Sequence, residues 1–305
     1  MEKFEVNILG CGSAVPTARH MTTAQLVNIH EKLFLVDCGE GTQTQIWKSG
    51  IRVTNMNHIF ISHAHGDHFF GLLPLVSSLA LMLDRTADLH LWIPAEMEKP
   101  LKRDFELFCC TPFQLIMHPL DTTKQEVLYE DKEMMVETIP LNHRVPCCGF
   151  LFSEKPKLPV LLPEKCKAYG IPPRELGKIK AGADWTMEDG TVVPNSELTA
   201  ASDFVPRKYA YCSDTAYFPE IIPQIEGADL LYHEATFVSE DEQQAVNAAH
   251  STAAQAATIA RDAHVKQLAI GHYSIRYDGE TALLAEAQCI FPNTVASQEG
   301  MTITL

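Results

Sequence analysis

Ser62-His63-Ala64-His65-Gly66-Asp67-His68 places four side chains able to bind a metal within six residues, directly after the apolar run His58-Ile59-Phe60-Ile61, which reads as a short buried strand. The stretch is a metal site held at a strand end. One segment cannot aim all four groups at a single ion. His63 and His65, two apart, can face the same way in extended backbone, whereas Asp67 and His68 are adjacent and diverge, helped by the turn that Gly66 permits. Two neighbouring metal ions are the natural reading, and imidazole with carboxylate suits zinc first, with manganese or iron also open.

With 305 residues, 46% of them hydrophobic and 21% charged, the chain has the make-up of a globular protein long enough to bury a full core. Met1-Glu2-Lys3-Phe4-Glu5-Val6 alternates like a strand and has no apolar leader region. The longest apolar stretch, Phe69 to Leu83, is interrupted by Gly71 and Pro74 and is too short to span a bilayer. A cytoplasmic protein without a membrane partner is expected. Nine cysteines without a C-x-x-C pair indicate neither a disulfide framework nor a cysteine zinc knuckle, and buried free thiols are expected. The net charge of −15 argues against a generally basic nucleic-acid binder, so any nucleic-acid contact must be local and no DNA partner is expected.

Outward from the central motif, residues 4–10, Gln25–Asn28 and Lys32–Val36 read as strands. The last of these runs into Asp37-Cys38-Gly39-Glu40-Gly41, whose glycines mark a tight structural turn, and Asp37 is read as part of that turn. Phe69 to Leu83 has the length of a buried helix carrying His68 near its start. Strands at Leu89–Ile93 and Glu133–Pro140 follow, and the second delivers His143. From Glu154 to Lys180 the balance inverts: Lys155, Lys157, Lys165, Lys167, Arg174, Lys178 and Lys180 face three acidic residues, a local +4, and five prolines stiffen the stretch. It reads as a projecting arm or a solvated surface insertion. A hairpin turn is expected at Glu188-Asp189-Gly190. Further strands at Arg207–Cys212, Leu230–Tyr232 and Val265–Ile270 end in Asp214, His233-Glu234 and His272. Helix starts at capping-box spacing stand at Ser239 with Glu242 and at Thr252 with Gln255, and His250 lies in the junction between them. There it is either a functional imidazole or a polar filler.

Strands alternating with helices, twice over, mark an α/β architecture of two packed sheets with helices outside. His63, His65, Asp67, His68, His143, Asp214 and His272 each stand just beyond an apolar strand, where such sheets present one edge. The pattern resembles the metallo-β-lactamase fold superfamily, whose H-x-H-x-D-H signature is matched at His63 to His68. Within it, His233-Glu234-Ala235-Thr236, His250-Ser251-Thr252, the basic arm and Gly271-His272-Tyr273-Ser274 with Arg276-Tyr277 resemble the short form of the ribonuclease Z family, endonucleases that mature transfer RNA 3′ ends. That resemblance implies a four-layer αββα sandwich over residues 1–305 with an arm inserted at 154–182. It implies two zinc ions per subunit, or manganese or another divalent ion, with His63, His65 and His143 on one, Asp67, His68 and His272 on the other, and Asp214 between them. Asp67 would accept the proton of the attacking water, and Glu234 with His250 would supply one to the departing ribose oxygen. The products would be a transfer RNA with a 3′ hydroxyl and a trailer with a 5′ phosphate. The basic residues 155–180 would grip the precursor, in a homodimer.

Two stretches depart from the family pattern. Its P-x-K-x-R-N loop appears shortened as Pro16-Thr17-Ala18-Arg19-His20, without the lysine and asparagine, and the arm's glycine-proline tip is replaced by Ile171-Pro172-Pro173-Arg174-Glu175-Leu176. The rival readings are a hydrolase of a small phosphodiester, sulfate ester or lactone on the same fold, a redox di-iron protein and a non-catalytic RNA-binding subunit. The first needs no basic arm. The second would replace one of the early histidines by Glu, and the third would have lost ligands.

Overall fold

The computed structural model describes residues 2–82 and 85–305. Met1 and Leu83, which end two of the expected elements, lie outside the described residues. The chain divides into two compact units: Met1–Tyr129, Met135–Ser153 and Arg207–Leu305 form the first, and Glu130–Met134 with Glu154–Pro206 the second.

In chain order the first unit begins with β1 (Phe4–Gly10), β2 (Ala24–Ile29), β3 (Lys32–Val36), α1 (Thr42–Ser49), β4 (Met56–Phe60), α2 (Gly66–Phe69), α3 (Leu72–Met82), β5 (Leu89–Pro94), α4 (Glu98–Phe108) and β6 (Leu115–Leu120). Strands β7 (Val127–Glu130), β8 (Met134–Pro140) and β9 (Cys148–Glu154) follow. The second unit holds β10 (Val160–Leu161), α5 (Pro163–Ala168), α6 (Leu176–Lys180), β11 (Trp185–Thr186), β12 (Val192–Val193), α7 (Asn195–Leu198) and β13 (Thr199–Ala200). The chain then returns through β14 (Lys208–Cys212), α8 (Ile222–Ile225), β15 (Leu230–Glu234), α9 (Glu242–Ala248), α10 (Ala253–Asp262), β16 (Gln267–Gly271), α11 (Thr281–Ile290), β17 (Thr294–Ala296) and β18 (Thr302–Thr304).

Two seven-stranded sheets form the first unit, ordered β18-β1-β2-β3-β4-β5-β6 and β17-β16-β15-β14-β9-β8-β7. Both are mixed. Strands β3 to β6 run parallel, as do β14 to β17, while β1, β2 and β18 pair antiparallel, as do β9 and β14. Buried aromatic side chains fill the space between the sheets: Phe60 meets Phe150 at 5.3 Å and Phe34 meets Phe152 at 5.8 Å between ring centroids. Truncating such a ring costs about 3–5 kcal/mol. Leu72, Leu75, Val76, Leu79, Leu101 and Phe105 cover the outer face of the first sheet from α3 and α4, and α10 and α11 cover the second around β15 to β17. The result is the four-layer αββα arrangement of the metallo-β-lactamase fold.

Register explains why chemistry gathers at one edge. Val36 pairs with Phe60, so Asp37 and Ser62 leave neighbouring parallel strands together. Cys212, His233 and Ile270 stand in line across β14, β15 and β16, which brings Asp214, Glu234 and His272 out beside one another.

The expected helix over 69–83 is two helices. His68 sits in the short α2, and α3 starts after Gly71, whose N–H donates to Cys38 O at 2.8 Å. A Cβ on Gly71 would lie 2.1 Å from Gly39 O, so only glycine allows that approach. Thr252 and Gln255 form a complete capping box on α10. Ser239 and Glu242 do not, because Glu286 takes the Ser239 N–H and hydroxyl. The second unit has its own small core of Cys166, Ile171, Ile179, Val193 and Leu198, and its β11–β12 hairpin turns at Gly190.

Candidate metal centre

Three imidazole nitrogens and one carboxylate oxygen face a common point at the end of β4. His65 Nδ1 lies 3.0 Å from His63 Nε2 and 3.4 Å from His143 Nε2, and Asp214 Oδ2 lies 3.4 and 3.8 Å from the same two nitrogens. Beside them a second group converges. His68 Nε2 is 3.4 Å from His272 Nε2, Asp67 Oδ2 is 3.7 and 3.4 Å from these nitrogens, and Asp214 Oδ1 is 3.3 and 3.2 Å from them. Asp214 thus gives one oxygen to each group. Nitrogen ligands at zinc bond lengths stand about 3.3–3.4 Å apart in a tetrahedron, and both groups match that spacing.

Burial and charge suit the same use. Among the described residues Asp214 Oδ1 is buried without a hydrogen-bond partner, an arrangement that a cation would relieve. Burial lowers the pKa of His63, His65 and His143, the last to about 4, so these rings are neutral and ready to ligate. Burial opposes charge on Asp67 as well, yet His272 and His68 hold its carboxyl well below the usual range. The donor set therefore fits divalent metal. The buried clusters are typical of a metallo-β-lactamase metal site.

Each of four histidines is oriented through its other ring nitrogen. His68 Nδ1–H donates to Asp37 Oδ2 at 2.7 Å, His63 Nδ1–H to Ser62 Oγ at 2.9 Å, His143 Nδ1–H to Ala249 O at 2.8 Å and His272 Nδ1–H to Thr236 Oγ1 at 2.9 Å. Asp37 is fully buried and also accepts from Ser62 N, Ser62 Oγ and Tyr211 OH at 2.8, 2.9 and 2.6 Å. It shapes a tight turn, as expected, but it also fixes the His68 ring, a role the sequence reading missed. The signal was present: Asp37 stands just beyond an apolar strand, as the ligands do.

Glu234 is buried and accepts four bonds, from Thr215 N and His250 Nδ1 on Oε1 and from Thr236 N and Thr236 Oγ1 on Oε2. Its bond from His250 is 2.7 Å long and leaves His250 Nε2 4.0 Å from Asp214 Oδ2, at the rim of both groups. Burial works against charge on His250, but the Glu234 carboxylate outweighs it and holds the imidazole at about 9. His233, the first residue of the same motif, is buried with Nδ1 bonded to Glu234 O and with no partner for Nε2 among the described residues. Cys147 and Cys148 are core residues, and Cys147 Sγ donates to Asp214 O at 3.4 Å.

Comparison with known proteins agrees with this fold. A beta-lactamase superfamily domain model matches residues 202–273, and the model of the anti-Pycsar protein Apyc1 matches residues 4–107. Ribonuclease Z of Phocaeicola vulgatus is 52% identical across the whole chain and 98% of its own length. Ribonuclease Z of Porphyromonas gingivalis strain W83 is 46% identical across 100% of both. The crystal structure of the short form of human tRNase Z superposes with a TM-score of 0.72 at 25% identity, covering 98% of each chain. The metallo-β-lactamase fold protein YhfI of Bacillus subtilis superposes at 0.70 and 18% identity over 100% of both chains, a likeness of fold alone.

Proposed function

The chain belongs to the ribonuclease Z family and is a tRNA 3′-end processing endonuclease, and from that premise we propose how its residues divide the work. His63, His65 and His143 would hold one divalent ion and Asp67, His68 and His272 a second, with Asp214 reaching both; zinc suits this donor set. When bound, the ions make hydroxide available from water near neutral pH and neutralise charge on the phosphodiester. Asp67, itself held by the Ala14 N–H at 2.7 Å, orients the attacking water and accepts its proton. His250 protonates the ribose 3′ oxygen as the P–O3′ bond breaks, giving a 3′ hydroxyl on the transfer RNA and a 5′ phosphate on the trailer. Glu234 keeps the His250 ring turned so that Nε2 faces the scissile bond.

The observation that carries this reading is the Glu234–His250 pair at the rim of two adjoining donor groups: a proton donor set where a leaving group would stand. It is tested by cleaving a 3′-extended precursor transfer RNA with zinc-loaded protein and with His250→Ala, mapping both new ends. His250→Ala is expected to keep its metal and lose roughly 10²- to 10⁴-fold in rate. Cleavage at the wild-type rate would remove His250 from the mechanism.

RNA grip is assigned to the second unit. Lys165, Lys167 and Lys180 are exposed there. Lys155 bonds Glu130 at 2.6 Å, Lys178 bonds Glu175 at 2.7 Å, Arg174 lies 3.6 Å from Glu175, and Lys157 lies 4.4 Å over the Phe204 ring. Surface pairs of this kind exchange readily for phosphate partners. A homodimer is supported by Leu81, Leu107 and Phe108, exposed at the ends of the touching helices α3 and α4. Light scattering should therefore give a dimer that Phe108→Asp weakens. Cytoplasmic residence is supported by nine unpaired cysteines, and no helix of the described residues is long and apolar enough to cross a membrane.

A further inference from the structure

The loop that departs from the family pattern carries another set of donor atoms, brought together from three separate segments. Cys11 follows β1, His20 precedes β2 and Glu299 lies between β17 and β18. Cys11 Sγ is 3.3 Å from His20 Nδ1 and 3.7 Å from Glu299 Oε1, and His20 Nδ1 is 3.0 Å from Glu299 Oε2. Behind the ring, His20 Nε2–H donates to Glu280 Oε1 at 2.7 Å. The Met21 N–H occupies Glu299 Oε1 at 2.8 Å, which leaves Oε2 turned toward the ring. Cys11 is fully buried, and the side chains of His20 and Glu299 are only 11% and 14% exposed.

We propose that Cys11 Sγ, His20 Nδ1 and a Glu299 carboxylate oxygen form a structural zinc site, separate from the two donor groups around Asp214. Ligand atoms at ordinary zinc–sulfur, zinc–nitrogen and zinc–oxygen bond lengths stand about 3.4–3.6 Å apart in a tetrahedron; the sulfur-to-nitrogen distance of 3.3 Å is close to this, and Glu299 brings one oxygen to 3.7 Å from the sulfur and the other to 3.0 Å from the nitrogen. The Glu280 contact completes a carboxylate–histidine–metal arrangement, which fixes the tautomer that leaves Nδ1 free to ligate. A fourth position falls to water or to the second Glu299 oxygen.

Charge does not oppose the exchange. Without metal the cluster holds a thiol, an imidazolium and two carboxylates, a net −1; with zinc it holds a thiolate, a neutral imidazole and the same carboxylates, again −1. One Zn²⁺ enters and two protons leave, one from Cys11 Sγ and one from His20 Nδ1. The site ties the 12–21 loop to the segment between β17 and β18. That loop's Ala14 N–H is the donor to Asp67 Oδ2, so the metal would also steady a residue of the reaction centre.

The test uses intact protein produced in cobalt-supplemented minimal medium. The donor groups around Asp214 contain nitrogen and oxygen only, so near-ultraviolet thiolate-to-cobalt charge-transfer absorption reports a cysteine-bearing site. The wild type should show that band, and Cys11→Ser should lose it together with one metal equivalent per chain. Glu280→Gln should keep the band while its metal affinity falls about 10- to 100-fold. Glu299→Gln, which preserves an acceptor for the Met21 N–H, should lose the band even if Cys11→Ser does not fold. A wild type that binds cobalt without the band, or a band that survives either ligand substitution, would overturn the proposal in favour of a protonated His20 clamped between two carboxylates.

Discussion

At Asp37 the backbone is left-handed, with φ 55°, and the carboxylate satisfies four donors, one of them on Tyr211, 174 residues away. Asparagine tolerates that backbone but carries only one acceptor oxygen. Asp37→Asn should therefore fold and bind zinc about 10- to 100-fold more weakly in a chelator competition, and unchanged affinity would dismiss the orienting role. The central motif was legible because its four side chains lie within six residues. The role of Asp37 was harder to read, because Ser62 and His68 become its neighbours only once β3 pairs with β4, and Tyr211 only when the second sheet packs on the first. His58 offers a second test at this scale. Burial, aided by His90 and His118, lowers its pKa to about 4. The unfolded chain, with an ordinary value of about 6.5, takes up the proton first, so the stabilisation is full above about pH 6.5 and is lost as pH falls towards 4. Allowing for partial exposure, His58→Gln should reduce this acid loss by roughly 1–2 kcal/mol in denaturant melts at pH 7 and 4.5.

Helix α10 owes its first turn to the Thr252 hydroxyl, which accepts the Gln255 N–H at 3.2 Å, and the residues just before it are His250 and Ser251. Thr252→Ala should lower unfolding free energy by about 1 kcal/mol in a urea melt. Local signals of this kind are legible when the element's own residues satisfy them, as here; at Ser239 a distant glutamate overrode the same spacing. Other elements hid their nature. Strand β6 contains Pro119, which an edge strand tolerates, so its sequence argued against a strand. Central β9 is buried at all seven positions but includes Gly149, where a Cβ would meet Tyr211 O at 2.1 Å. Its polar ends and glycine masked a strand that only the packing explains.

On the scale of the whole molecule, the larger segment of the second unit, Glu154–Pro206, is inserted between two strands that pair with each other. Ser153 of β9 stands opposite Lys208 of β14, so an Asn-Gly turn replacing residues 155–206 can rejoin them. The excision must take all of residues 155–206, since cutting at residue 180 would strand Val193 and Leu198 without their core partners. The shortened protein should turn over a small phosphodiester at the wild-type rate and lose cleavage of precursor transfer RNA. Equal loss of both activities would mean the unit serves the reaction centre rather than RNA grip.

The order of the proposed ligands along the chain also sets a schedule for synthesis. His63 to His68 leave the ribosome early, whereas Asp214 and then His272 follow much later, a gap of roughly 10–40 s at ordinary elongation rates of about 5–20 residues per second. Until Asp214 has emerged each ion lacks the donor the two groups share, and until β16 has emerged the second ion still lacks His272. Nascent fragments ending before residue 214 should accordingly bind zinc weakly, and RNA cutting begins only once His272 has joined the second group.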